Sequence, residues 1–337
     1  MDRFRNRRCA LALALLAIAS AALACVGCSS FSVYDGTVAL LGDSEDAGPW
    51  HPLAEDPDAA CIFVLAPTAT DYGQAHLGWL WQGRHRSFQA GMNDRGLGYS
   101  LTAVPDVAMN AHPERPYRHG EDSLYRLLLG RAATVEEGID VVSQFDFASM
   151  WFQILLADAG GDAAIVGPGP DGELAVTRKA SDKRAWVAAT FNVADPRQFI
   201  SRDSFTRVDD ATAILVHETD DASHTLAAAE RALEVVHRER PYALGGTYTM
   251  YSTLYDLTNR EIHHVHLGRF DAPVLVDLTA EWALGDHVLR IAELVPEDVR
   301  DAAADRYRLK QGLGIGVAAT AVLGVVAVAV KLVIELL

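Results

Sequence analysis

The chain has 337 residues, half of them hydrophobic, with 45 acidic against 29 basic side chains and four cysteines. That length suits one large domain or two small ones, and the apolar content excludes a disordered chain. A formal charge of -16 presents no basic stripe to phosphate, which excludes sequence-independent nucleic-acid binding.

At the N terminus, Arg3, Arg5, Arg7 and Arg8 precede an Ala/Leu-rich run from Ala10 to Ala24 and then Cys25-Val-Gly-Cys28-Ser-Ser. A basic start, a short apolar run and a small-residue exit predict a signal peptide over residues 1–27. The protein is therefore expected to be exported, in the cell envelope or anchored on the extracytoplasmic side of a membrane. Removing that segment takes away four arginines against Asp2 and leaves the remainder still more acidic. Cys28, at the exit, has two chemical readings that exclude each other. In one, Cys28 (or Cys25, after Ala22-Leu23-Ala24) carries a lipid as in a bacterial lipoprotein. In the other, Cys28 becomes an N-terminal thiol nucleophile, which a thioether-linked lipid would block. Cys61, in the apolar run Cys61-Ile-Phe-Val-Leu, reads as a small buried thiol. Four cysteines so placed allow neither a multi-disulfide framework nor a cysteine-rich metal site.

Along the body, Phe31–Leu41, Cys61–Leu65, His76–Trp81 and Gly98–Ala103 are alternating or apolar runs bounded by Asp, Gly and Pro, and are predicted strands. Glu121–Gly130 and Thr134–Phe145 have helical spacing, and Thr134 with Glu136 and Glu137 supplies a cap and an acidic first turn to the second. A second strand group covers 151–158, 163–167, 173–177 and 185–190, with turn chemistry at Asp171-Gly172. Residues 204–216 and 223–238 return to helical period, and 248–257, 261–267 and 273–278 close as strands, with a turn at Thr258-Asn259-Arg260. Strand groups separated by helix pairs predict a layered α+β domain over residues 28–296. His264 and His266 share one face of a predicted strand, but no third ligand has metal-binding spacing, so no metal is expected. From Gly312 to Val330 runs an uncharged stretch of 19 residues, long enough to cross a hydrocarbon core as a helix. The segment 297–337 is thus expected to be a C-terminal hydrophobic helix and membrane anchor, with Gly312 and Gly316 at a spacing that suits close helix packing.

Several stretches, taken in order, carry a resemblance. Cys28-Ser-Ser-Phe31, a short strand with Asp35-Gly36, and Leu41-Gly-Asp-Ser-Glu-Asp46 form the first. Gln89-Ala-Gly-Met-Asn93-Asp-Arg-Gly96-Leu97 with Thr102-Ala-Val-Pro105 follows, then Leu155-Leu-Ala-Asp158-Ala-Gly-Gly-Asp162, and finally Tyr251-Ser-Thr-Leu-Tyr255-Asp256-Leu257. Together they resemble the linear amide C–N hydrolases, which include penicillin V acylases, choloylglycine hydrolases and acyl-coenzyme A:6-aminopenicillanic acid acyltransferases. The resemblance covers roughly residues 28–286 and implies a four-layer αββα N-terminal-nucleophile (Ntn) sandwich. It also implies an amidase or acyltransferase that cleaves a linear amide of an N-acylated small molecule, with Cys28 as nucleophile and Asp46 as the carboxylate that orients its α-amino group. An N-terminal cysteine brings its own base, because its α-amine titrates near neutrality beside a thiol that is otherwise mostly protonated. No cofactor is implied.

The chain departs from the family pattern where charge develops in the transition state. The family's Thr-Asn-Phe in a late strand reads Ala189-Thr190-Phe191 here, with Asn192 one place on. Either Thr190 or a shifted Asn192 stands as the oxyanion or substrate-orienting donor, with Thr102 in the other donor region. Thr253 replaces an asparagine of a Tyr-Ser-Asn-x-Tyr-Asp motif, and Asp43 stands where Asn or Arg is usual. Asn93 is a further candidate, or the residue that shapes its turn. Beside the enzyme, a second function class stays open: a non-catalytic surface lipoprotein or binding protein on the same scaffold, with Cys25 or Cys28 lipidated.

Overall fold

The computed structural model describes residues 28–81, 85–120, 123–217 and 222–334. The signal-peptide expectation over 1–27, including Cys25, lies outside the described residues. Among the described residues, one sheet runs in the order β12 (Ala185–Ala189), β1 (Ser29–Tyr34), β2 (Ala39–Ala47), β13 (Tyr248–Asp256), β14 (Glu261–His266), β15 (Val274–Asp277). A second runs β11 (Leu174–Arg178), β10 (Ala163–Pro168), β9 (Ser149–Asp158), β6 (Leu97–Ala108), β5 (His85–Asn93), β4 (Gln74–Trp81), β3 (Ala60–Leu65), β16 (His287–Arg290). Neighbours in both are antiparallel. A short parallel pair, β7 (Tyr117–Arg118) and β8 (Phe145–Asp146), lies apart from them.

The strands alternate, so each sheet has two faces to bury. The inner faces meet over a core that includes Leu41, Ile62, Leu77, Met92, Leu155, Tyr251 and Tyr255. Helices α2 (Ser123–Arg131) and α3 (Val135–Val142) cover the outer face of the eight-stranded sheet through Leu124, Leu128, Ile139 and Val142 against Tyr99, Leu101 and Ile154. On the other side α4 (Asp203–His217) and α5 (Ala222–Val236) cover Phe31, Val33, Leu40 and Leu254 with Ala211, Leu215, Ala229 and Leu233. The result is the αββα sandwich expected. The predicted strand over 31–41 divides into a hairpin, because Asp35 Oδ1 accepts from the N–H groups of Thr37 and Val38 and Gly36 takes a φ of 102°. Thr134 caps α3 as expected, its hydroxyl accepting from Glu137 N–H.

The remaining helices are α1 (Pro52–Glu55), α6 (Leu278–Ala283), α7 (Ile291–Leu294) and α8 (Glu297–Ile334). Helix α8 runs through the stretch 312–330 where a membrane span is expected. It is continuous through that stretch, but among the described residues no helix is long and apolar enough to cross a membrane. The side chains of 321 and 323–334 are outside the described set. The first half of the helix is built for the protein surface: it carries Asp298, Asp301, Asp305, Arg306, Arg308 and Lys310 and docks through one buried stripe. Ala303 and Tyr307 enter the core, the Tyr307 hydroxyl donates to Ala54 O at 3.1 Å, and Gln311 Oε1 accepts from Tyr242 N–H at 2.9 Å. Arg306 and Lys310 both reach Glu239, at 2.8 and 3.3 Å.

Candidate active site

Register decides which side chains share the inner face. Ser29 lies opposite Ser44 and Ser30 opposite Asp43, so Cys28, one residue before β1, falls beside Glu45. Across β2, Glu45 is opposite Tyr251 and Asp43 opposite Thr253, and these lie opposite His266 and His264 on β14. The inner face of the six-stranded sheet therefore carries two polar rows, Cys28–Glu45–Tyr251–His266 and Ser30–Asp43–Thr253–His264. In an otherwise apolar interior such rows need internal partners. Ser30 and Ser100 hydroxyls meet at 2.7 Å, Ser100 donates to Asp43 Oδ1 at 2.5 Å, and Thr253 Oγ1 lies 3.0 Å from His264 Nδ1.

The Cys28 thiol is buried and donates toward Glu45 Oε2 at 3.6 Å. Burial, then the negative charges of Glu45, Asp46 and Asp43, push it well above the ordinary thiol range; the backbone N–H of Asp46 opposes them. It is therefore a thiol at rest and needs a proton acceptor to act as a nucleophile. Burial also raises Asp43 well above the carboxylate range, against the Ser100 hydrogen bond, with Glu45 and Asp46 adding to the rise. Glu45 in turn meets His51, whose Nε2 lies 3.1 Å from Glu45 Oε1. His51 is the N-cap of α1: its Nδ1 accepts from Leu53 N–H at 3.2 Å, so its proton sits on Nε2, facing Glu45. The ring is held edge-on against Trp79, with centroids 4.6 Å apart.

Cys28, Glu45 and His51 open onto a cavity of about 330 Å³ whose other walls include Trp79, Phe88, Leu101, Tyr125, Trp151 and Phe152. Mostly apolar walls with a few convergent polar groups are the usual make-up of a small-molecule site. Gln89 and Ser87 supply polar edge, joined by a 3.0 Å hydrogen bond. They reach the cavity from β5, which approaches β4 so closely that a Cβ on Gly78 would sit 1.6 Å from Ser87 O. His119 also lines the cavity; burial lowers it, and its buried Nδ1 has no partner among the described residues. Trp151 is half-exposed at the rim and edge-on to Phe152.

The other expected site residues do not converge on Cys28. The Asp46 carboxylate points to the opposite face of the sheet, where Arg207 of α4 lies 2.6 Å from its Oδ2 and Thr249 Oγ1 donates to its Oδ1 at 2.5 Å. It is the neighbouring carboxylate, Glu45, that reaches the thiol. Thr102 accepts from Gln153 Nε2 at 2.9 Å, and the same Gln153 clamps the carbonyls of Ala189 and Phe191. Thr190 turns toward α4 and meets the Ser204 hydroxyl at 2.5 Å. Asn192 donates to Pro168 O at 2.9 Å, and its Oδ1 accepts from Ala194 N–H. Asn93 donates to the carbonyls of Leu129 and Ala132 and accepts from Arg95 and Leu97 N–H, which locks the turn after β5 to the end of α2. Cys61 is fully buried and donates to Ala59 O at 3.3 Å. Glu45, His51, His119, Gln89 and Trp151 are the cavity residues that sequence reasoning missed. Glu45 had a signal, since it lies inside the same acidic element as Asp43 and Asp46.

No family model and no curated protein matches the sequence. Solved structures do. Two variants of conjugated bile acid hydrolase from Clostridium perfringens superpose with a TM-score of 0.57 at 12% identity, covering 77% and 78% of this chain and 95% of theirs. Penicillin V acylase from Agrobacterium tumefaciens superposes with a TM-score of 0.55 at 15% identity, covering 75% of this chain and 86% of that one. At such identity the likeness is one of fold, and the fold is the Ntn-hydrolase sandwich.

Proposed function

We propose that the protein is an amidase that cleaves a linear amide C–N bond of an N-acylated small molecule through a thioester on Cys28. It acts outside the cytoplasm once residues 1–27 are removed, and passes the acyl group to water or to an amine acceptor. The observation that carries this reading is the thiol of Cys28, at the head of β1, opening onto an apolar cavity of about 330 Å³ that can hold an acyl group. The two neighbours that share the fold are named for hydrolysis of conjugated bile acid and for acylase action on penicillin V, which supports a hydrolytic reading of this site. A second reading, a non-catalytic surface lipoprotein or binding protein with Cys25 or Cys28 lipidated, draws support from one specific feature. The hydroxyl of Thr190 and the amide of Asn192 are spent on Ser204 and Pro168, so the expected oxyanion donors are turned away from the thiol.

The test is hydrolysis of a panel of N-acyl amines and N-acyl amino acids. Cys28→Ser is expected to abolish turnover while Cys61→Ser leaves it intact. Equal rates in wild type and Cys28→Ser would contradict the amidase reading, and a mature chain found only with lipid on Cys28 would establish the second.

A further inference from the structure

We infer that His119 is a specificity-determining residue of the Cys28 cavity, donating a hydrogen bond to an uncharged oxygen carried on the acyl chain away from the scissile carbonyl. The substrates are then N-acyl amides whose acyl group is hydroxylated or oxo-substituted rather than plain alkyl. The inference rests on the amidase reading for the scissile bond, and on its own geometry for the acyl group. The cavity crosses the eight-stranded sheet. Strands β5 and β6 pair only where Ala90, Gly91 and Met92 face Ser100, Tyr99 and Gly98; beyond that they part, and Phe88 and Gln89 on one side of the gap and Leu101 and Ala103 on the other line the cavity. Cys28 stands at the end toward the six-stranded sheet. His119 packs against Phe147 and Phe152, ring centroids 5.1 and 5.2 Å away, in the cluster that α2 and α3 cover. An acyl group bonded to the sulfur therefore passes the gap before it reaches the imidazole.

Other polar groups of the cavity are engaged with one another, Cys28 with Glu45, Glu45 with His51, and Gln89 with Ser87. The half-buried His119 ring makes no hydrogen bond among the described residues, and its Nδ1 is closed off. An orphaned buried N–H is rarer than an under-used buried acceptor, so the ring proton belongs on Nε2. Burial lowers the ring from its ordinary value near 6.5, so at pH 8 it has that single N–H to give. Among the described residues no Lys or Arg lines the cavity, and a carboxylate beside His119 would be a buried charge without a counter-ion; the acceptor is therefore uncharged. The segment that delivers the ring is fixed along its length. His112 N–H donates to Asp146 Oδ1 at 2.9 Å, the His112 ring bridges Glu114 and Glu173 at 2.9 and 2.7 Å, Arg115 donates to Phe145 O at 3.1 Å, and His119 N–H donates to Asp146 O at 3.2 Å. A polar ring held this firmly on a cavity wall, with no partner of its own, is preorganised for a ligand.

The probes are amides of one amine with decanoic acid and with its hydroxylated isomers, the hydroxyl stepped along the chain one carbon at a time. Calorimetric binding to Cys28→Ser at pH 8 reads the contact without turnover. At least one isomer should bind about tenfold or more tighter than the decanoyl amide, and kcat/KM of the wild type should favour the same isomer by a similar factor. His119→Phe packs against Phe147 and Phe152 but has no N–H, and should bring the favoured isomer down to the level of the decanoyl amide. His119→Gln, whose amide can donate, should restore part of the preference. A merely structural His119 would move both amides alike. Equal affinities across the whole series in Cys28→Ser overturn the inference without any His119 variant having to fold, and so does a preference that survives undiminished in His119→Phe. If the wild type hydrolyses none of the amides while Cys28→Ser still discriminates through His119, the amidase reading fails and the binding site stands. If the amides are hydrolysed without discrimination, the amidase reading stands and the His119 assignment fails.

Discussion

Replacing Arg207 by Met tests whether Asp46 belongs to the scaffold or to the chemistry. Arg207 and Asp46 are both buried, 3% and 0% exposed, and their side chains meet at 2.6 Å. Arg207 also binds Asp203 at 3.0 Å, and Asp203 is shared with Arg238 at 2.8 Å and Arg240 at 3.3 Å. Methionine fills the space but leaves the Asp46 carboxylate buried with only the Thr249 hydroxyl. Removing one partner of a buried pair typically costs about 3–5 kcal/mol, most of it the desolvation of the charge left behind. For a domain of this size each kcal/mol shifts the melting temperature by roughly 2 °C, so calorimetry should record a fall of roughly 6–10 °C. Asp46→Asn keeps an acceptor for Thr249 and should cost less, while its kcat stays near wild type because Asp46 does not reach the thiol. The double variant Asp46→Leu with Arg207→Met removes both charges and should recover much of the loss. A drop below about 1 kcal/mol in Arg207→Met, the size of an exposed pair, would refute the buried-pair reasoning. So would a large kcat loss in Asp46→Asn with unchanged stability.

Other measurements follow from the same geometry. Burial lowers His76 to about 3, His264 to about 3 and His266 to about 4. Each binds its proton only on unfolding, so the stability they contribute is full above the unfolded value near 6.5 and is lost as pH falls toward those folded values. Denaturant titrations between pH 6 and 4.5 should show stability dropping by up to roughly 4 kcal/mol per pH unit, and a flat profile would contradict neutral buried imidazoles. Glu239 feels burial pushing it up, but His237, Arg306 and Lys310 hold it down at about 2. Its contribution is present above the unfolded value near 4.5 and is lost as pH falls through about 2. Glu239→Gln should accordingly loosen α8 and speed proteolysis within 297–311 at pH 7; an unchanged cleavage rate would show the helix held by its apolar stripe alone. Ala103→Trp projects a bulky ring into the cavity and should raise KM at least tenfold for long acyl chains while sparing an acetyl amide. Equal effects on both would place the acyl group elsewhere.

Much of the fold is legible in the sequence because burial imposes period. The runs at 61–65, 151–158, 163–167 and 248–257 alternate or stay apolar and became strands, and Thr134 with its acidic first turn became a capped helix. Strand β5 escaped notice because His85, Arg86, Ser87 and Gln89 interrupt its apolar residues, and its pairing rests on a glycine, Gly78, that admits the close approach. The site was harder to read, for a reason of parity. Asp43, Glu45 and Asp46 crowd one strand, and a single step of register decides which of them faces Cys28. The resemblance pointed to Asp46; the pairing of Ser29 with Ser44 turns Glu45 inward and gives Asp46 to α4. Likewise nothing in Thr190 or Asn192 announces the partners that the folded chain supplies, Ser204 and Pro168, since both are reached only through tertiary packing. His51 lies in Gly48-Pro-Trp-His-Pro52, which reads as a plain turn until α1 gives its ring one nitrogen to accept with and one to donate from.

The central claim is that Cys28 carries the acyl group. Mature protein mixed with a long-chain N-acyl amide, quenched in acid within one turnover and digested, should yield the Cys28 peptide heavier by the mass of the acyl group, in a form released by hydroxylamine. Cys28→Ser should yield no hydroxylamine-labile adduct. An unmodified Cys28 peptide in protein that is hydrolysing the amide would contradict the account.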